Sequence, residues 1–155
     1  MKIQTKAYGL VEVDERQRVT FPSGLFGFES IKDYVLLDAD KQPFYWLQSV
    51  EVEQIAFIII NPFLFRPDYE LDIDDDLVRD IGIESPEKAL IFSIVTISEN
   101  GAMSANLQGP LIINRDTRVG KQGVLGDPRW KTKHDILEEL KQTERAASER
   151  KAPSC

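Results

Sequence analysis

The first residues of the chain alternate. In Ile3 to Val13 the odd positions read Ile3, Thr5, Ala7, Gly9, Val11 and Val13, while Lys2, Gln4, Lys6 and Glu12 fall on the even side. A period of two sends successive side chains to opposite faces, so the stretch predicts a strand with one wet face. Arg18 to Phe21 predicts a second, short strand. Tyr34 to Leu37 and Phe44 to Val50 predict two more, separated by the polar turn Asp38-Ala39-Asp40-Lys41-Gln42-Pro43. Ile55 to Ile60 (IAFIII) and Ala89 to Ile97 (ALIFSIVTI) are apolar without alternation, as expected of strands covered on both faces. Ala105 to Asn114 reads as two strand pieces broken at Gly109-Pro110, and Gln122 to Leu125 adds a further candidate.

Helical signals are few. Asp74-Asp75-Asp76 offers an N-cap and a negative first turn, Leu77, Val78 and Ile81 share one apolar face, and Gly82 is a natural stop. A second helix is predicted after Trp130, with Ile136, Leu137 and Leu140 on one face. Many short strands and one or two short helices predict a mainly β fold, a small β-barrel or barrel-like sandwich. Residues 1–142 form one domain on this reading. Residues 143–155 are polar, lack apolar periodicity and predict a disordered tail.

Three segments break the pattern by combining aromatics with proline or glycine: FPSGLFGFE (Phe21 to Glu29), NPFLFRPDY (Asn61 to Tyr69) and GDPRW (Gly126 to Trp130). Two glycines and a proline do not suit a core strand, and three phenylalanines do not suit a solvated loop. FPSGLFGFE therefore predicts a sharp corner, with Gly24 and Gly27 taking backbone conformations closed to other residues and Phe21, Leu25 and Phe28 plugging the core beneath. The other two segments have the same two readings, a plug at the end of a barrel or a preformed groove for a partner.

Composition narrows the function. The 155 residues carry a net charge of −7, which disfavours a grip on nucleic acid or an anionic membrane and suits a basic protein partner. Arg129 to Lys151 alone is locally basic, with seven Lys or Arg against five acids, the composition of a solvated helix. The start, MKIQTKAYG, lacks the apolar core of a signal peptide, and no apolar run reaches the length of a membrane span. Together with a lone cysteine, Cys155, this predicts a cytoplasmic protein without an intrachain disulfide.

Signals for chemistry are sparse. His134 is the only histidine and is predicted at the surface near a helix start, remote from any nucleophile turn. Asp72, Asp74 and Asp76 have the spacing that opens a calcium loop, but Leu77 stands in the required glycine position and Ile83 in that of the closing glutamate. No metal and no cofactor is expected. A barrel-fold hydrolase or metal enzyme using unpaired surface carboxylates stays open as the alternative to a binding protein.

Four pieces nevertheless occur together in order: FPSGLFGFE followed by Tyr34-Val35-Leu36, INPF after an apolar strand, SANLQGPLIIN, and GVLGDPRWKTKH near the C-terminus. Between about Met1 and about Leu140 this arrangement resembles the FliW family of flagellar assembly factors. Phe26 stands where proline often occurs in similar sequences. The resemblance implies a small cytoplasmic β-barrel protein without enzymatic activity that binds flagellin before export. When free of flagellin, it would bind and antagonise CsrA, the RNA-binding translational repressor. The implied role includes no direct contact with nucleic acid or membrane, and the chain is expected to be a monomer.

The expected partner-binding residues are Asn61, Pro62, Phe63, Asp68, Tyr69, Glu70, Asp72, Asp75 and Asp76. The acidic stretch is expected to matter to CsrA, and flagellin binding to depend on it less if that rests on apolar contacts from the Asn61-Pro62-Phe63 region and neighbouring strands. Asp68 to Glu87 holds nine acids against a single Arg79. Such a face would attract the basic surface that an RNA-binding protein must present, and would oppose the approach of RNA phosphates.

Overall fold

The computed structural model describes residues 1–142; the tail expected over 143–155 lies outside the described residues. The chain opens with an antiparallel hairpin of β1 (Lys2–Thr5) and β2 (Gly9–Glu12). The single strand expected over Ile3 to Val13 is thus folded in two. Gly9 adopts φ 68°, and the Thr5 hydroxyl donates to Gly9 O and accepts from Tyr8 N, which turns the chain inside the alternating stretch. Ile3, Thr5 and Val13 still face inward.

All other strands join one antiparallel sheet: β3 (Arg18–Thr20), β4 (Asp33–Asp38), β5 (Tyr45–Ser49), β6 (Ala56–Ile60), β7 (Ala89–Ile97), β8 (Met103–Ala105), β9 (Leu111–Asn114), β10 (Gly120–Gln122) and β11 (His134–Asp135). The order runs β10-β9-β7-β6-β5-β4-β3. β7 is the fork, pairing with β9 through Ala89 to Phe92 and with β8 through Val95 to Ile97, and β11 extends β8.

The expected barrel is not closed. The two ends of the path, β3 and β10, meet only at an isolated parallel bridge, where Thr20 N donates to Arg118 O at 2.9 Å. Both are three-residue strands meeting in parallel, too short to carry a ladder around the seam.

The apolar runs are covered on both faces where the sheet is deepest. Neighbouring residues of β6 belong to different clusters: Ile59 packs with Val19, Phe21, Leu25, Tyr34 and Leu47, whereas Ile60 packs with Phe65, Tyr69, Leu107 and Trp130. β4 divides likewise, since Val35 joins Ile3, Val13 and Leu37 under the hairpin. Towards the strand ends the covering thins, and Ile97 stands exposed.

The helices follow their local signals. α1 (Asp75–Asp80) is capped by Asp74, whose carboxylate accepts from Asp76 N, and it stops at Gly82 with φ 70°. Helical residues resume over 136–142. There Ile136 is buried and Leu140 packs against the core, but Leu137 is exposed, so the three do not share one buried face. No helix among the described residues is long and apolar enough to cross a membrane.

The FPSGLFGFE corner is architecture. Phe21 and Leu25 are fully buried, Phe28 packs edge-on against Phe57 with ring centroids 5.1 Å apart, and Phe26 alone projects outward. Gly24 has φ 69°, and a Cβ there would lie 2.4 Å from Glu29 Cα. Gly27 has φ 86° but faces open space.

These two glycines therefore differ in a testable way. Gly24→Ala meets both backbone strain and a backbone clash and is expected to cost more than about 2 kcal/mol, whereas Gly27→Ala meets strain alone and costs about 1. Urea midpoints at constant m-value measure both. Equal losses would contradict the packing described here.

Candidate partner-binding site

The chain leaving β6 is turned by Asn61. Its side chain accepts from Phe63 N at 2.9 Å and caps the 3-10 turn Pro62–Leu64, placing proline first, where its missing N–H is no loss. Pro62 and Phe65 are buried; Phe63 and Leu64 are left exposed, and the Phe63 ring lies 5.7 Å from that of Tyr69.

From Asp68 to Asp74 the chain alternates. Tyr69 is buried and Leu71 and Ile73 are half-buried, while Asp68, Glu70, Asp72 and Asp74 stand in solvent. The anchor is Tyr69. Its hydroxyl donates to Leu107 O, and its ring meets the Trp130 ring edge-on at 4.8 Å. Burial pushes the Tyr69 phenol above its ordinary pKa. Tyr69 and Pro62 therefore support this surface from within.

The acids divide into paired and unpaired groups. Arg66 donates two hydrogen bonds of 2.8 Å to Asp68 and one of 3.1 Å to Glu139; Arg129 spans Asp127 at 2.8 Å and Glu70 at 3.1 Å. Both guanidinium groups lie over the Trp130 ring, 4.8 and 4.9 Å from a ring centroid. Asp76 pairs with Arg79 and Asp80 with Lys121. Among the described residues, Asp72, Asp74, Asp75, Glu84 and Glu87 have no cation within ion-pair distance. The unpaired negative charge thus sits on the chain leading into α1, on its first residue and on the loop beyond it, whereas Asp68 and Glu70 each share an arginine with a second carboxylate.

Beside this charge lies an apolar cleft of about 430 Å³. Phe63, Leu71 and Ile73 form one wall, Val78 of α1 and Ile83 another, and Ala89, Ile91 and Ile112 its sheet side, with Glu84 at the margin. The structure places Phe63 beside the acidic segment. It adds Leu71, Ile73, Val78 and Ile83, which sequence reasoning left out. The alternation in DYELDID was the available signal for the first two.

His134 differs from expectation. It lies buried on β11, its Nδ1 2.7 Å from Glu139 Oε1, and its Nε2 accepts from Lys131 N at 2.8 Å. Both ring nitrogens are engaged in holding the 131–139 segment, which leaves neither free to act as a general base. The local turn places them there, because the ring reaches back three residues to Lys131. Asp127 behaves as a turn residue, accepting from Arg129 N. Among the described residues no three acids, histidines or cysteines converge as metal ligands.

The sequence model of a family described as FliW protein matches residues 2–136. The flagellar assembly factor FliW of Treponema denticola is 54% identical over 141 residues, covering 90% of this chain and 96% of that protein. Its namesake in Treponema pallidum is 49% identical over 150 residues, covering 96% and 99%. A crystal structure of the flagellar assembly factor FliW superimposes with a TM-score of 0.81 at 37% identity, over 88% of this chain and 96% of that one.

The Arg66–Asp68 pair has a measurable consequence. Hydrogen bonds from Arg66 hold the Asp68 carboxyl below its ordinary pKa. A depressed folded-state value contributes stability above the unfolded value of about 3.9, and that contribution is lost as pH falls through the folded value. Because Asp68 is solvent-facing, the contribution is small. An NMR titration should place the Asp68 midpoint below about 3.9 in the native chain and near it in Arg66→Ala. Identical midpoints would contradict the pairing.

Proposed function

Since the chain belongs to the FliW family, we propose that it is a flagellar assembly factor that binds flagellin and, when free of flagellin, binds and antagonises CsrA. The observation that carries this reading is the juxtaposition of the apolar cleft with the unpaired acids Asp72, Asp74, Asp75, Glu84 and Glu87. The cleft offers desolvated anchor positions, and the acids offer attraction to a basic surface.

The role is binding, and its logic is mass action. Scarce flagellin leaves the acidic face free to take CsrA from the flagellin messenger, so translation resumes; abundant flagellin occupies the protein and releases CsrA. No covalent step is needed. Once CsrA is bound, the negative field beside it would oppose RNA phosphates without covering their site. Cytoplasmic placement belongs to this proposal, since that is where messenger and unexported flagellin meet.

The test separates the two partners. Reversing Asp72, Asp75 and Asp76 to lysine alters solvated carboxylates, at about half a kcal/mol each in stability. Asp74, which caps α1, is left in place. CsrA association is expected to slow, most at low salt, where screening is weakest. Flagellin affinity is expected to change less, because it rests on the Phe63 side of the cleft. Unchanged CsrA binding at low salt would show that this face turns away from CsrA. Equal loss for both partners, with the fold intact by circular dichroism, would show one shared surface.

A further inference from the structure

Glu70 to Ile73 belong to no strand, yet their side chains alternate between cleft and solvent as in one. Among the described residues, none of their backbone N–H or C=O groups has a hydrogen-bond partner. Buried backbone groups are nearly always paired, so four successive unpaired residues must lie open to water. The segment therefore presents the polar edge of a strand without a neighbour.

We propose that Glu70–Ile73 is a strand-addition site for an extended segment of a partner polypeptide in which apolar residues alternate with Lys or Arg. The added strand pairs with this backbone. Its apolar side chains enter the cleft between Leu71, Ile73, Val78 and Ile83, and its cations meet Asp72, Asp74 and Glu84. Main-chain pairing supplies affinity in this mode, and the pockets for alternate side chains supply selectivity. The charges choose the occupant. A second copy pairing edge to edge would set acids against acids, which is how natural edge strands avoid self-association. A basic segment removes that penalty. The inference deepens the proposed partner-binding role of this face and rests on it.

The test uses the full chain and a capped seven-residue peptide of alternating lysine and valine, followed by fluorescence anisotropy. Two controls accompany it: the same peptide N-methylated throughout, and one of the same composition with its valines grouped. The alternating peptide is expected to bind, and raised salt to weaken it. The N-methylated form should bind at least about tenfold more weakly, since two or more backbone hydrogen bonds are lost. The double variant Asp72→Lys, Glu84→Lys should lose most of the affinity at unchanged melting temperature. Equal binding of the N-methylated or grouped peptide would overturn strand addition. So would failure of the alternating peptide with a chain that still captures flagellin and CsrA, an outcome that leaves the proposed function standing. Sequence- and backbone-dependent binding by a chain that captures neither protein would support the strand site and remove the proposed function.

Discussion

The placement of the acidic face depends on the burial of Tyr69. Its hydroxyl is satisfied by Leu107 O and its ring is wedged against Trp130, in a cluster that also contains Phe65, Leu107 and Ile136. Truncating a buried aromatic of this kind costs about 3–5 kcal/mol, more than any one of the neighbouring ion pairs supplies. With residue 69 fixed inward and the chain extended, Leu71 and Ile73 must follow it and the intervening acids must face out. Core packing thus sets the direction of the charges, and Arg66 and Arg129, lying over Trp130, fix the near end of the segment.

The electrostatic consequence is a gradient along a short stretch of chain. At Asp68 and Glu70 each carboxylate has an arginine partner, shared with Glu139 and Asp127 respectively. From Asp72 onward the acids are largely unpaired, apart from those tied to Arg79 and Lys121. Negative charge left unpaired costs the free protein little in water and remains available to a cation from outside. The apolar cleft lies along this unpaired stretch, so one approach direction offers burial and charge together.

Much of this was legible because it is local. β7 covers Ala89–Ile97 as its apolar run predicts, and α1 begins at the Asp74 cap and stops at Gly82. The corner at Gly24 and Gly27 was readable from glycine chemistry alone. What escaped depends on distant partners. The alternation of Ile3 to Val13 hid a hairpin, whose only signal was a glycine inside the pattern. Closure of a barrel depends on register between strands far apart in sequence, and the sheet stops at one bridge between Thr20 and Val119. His134 is buried by Trp130 and Glu139, neither of which periodicity ties to it. The cleft draws on at least four separate segments, and no single window of the sequence contains it.

The central claim is that the acidic, edge-bearing segment beside the cleft is the surface that meets CsrA. Amide hydrogen exchange of the chain, free and in complex with CsrA, tests it most directly. The free chain should exchange rapidly at Glu70 to Ile73, because those amides lack partners. The complex should slow exchange there and across α1, leaving the β1–β2 hairpin unchanged. Protection confined to the hairpin or to the β3–β10 seam, with Glu70 to Ile73 still exchanging freely, would contradict the account.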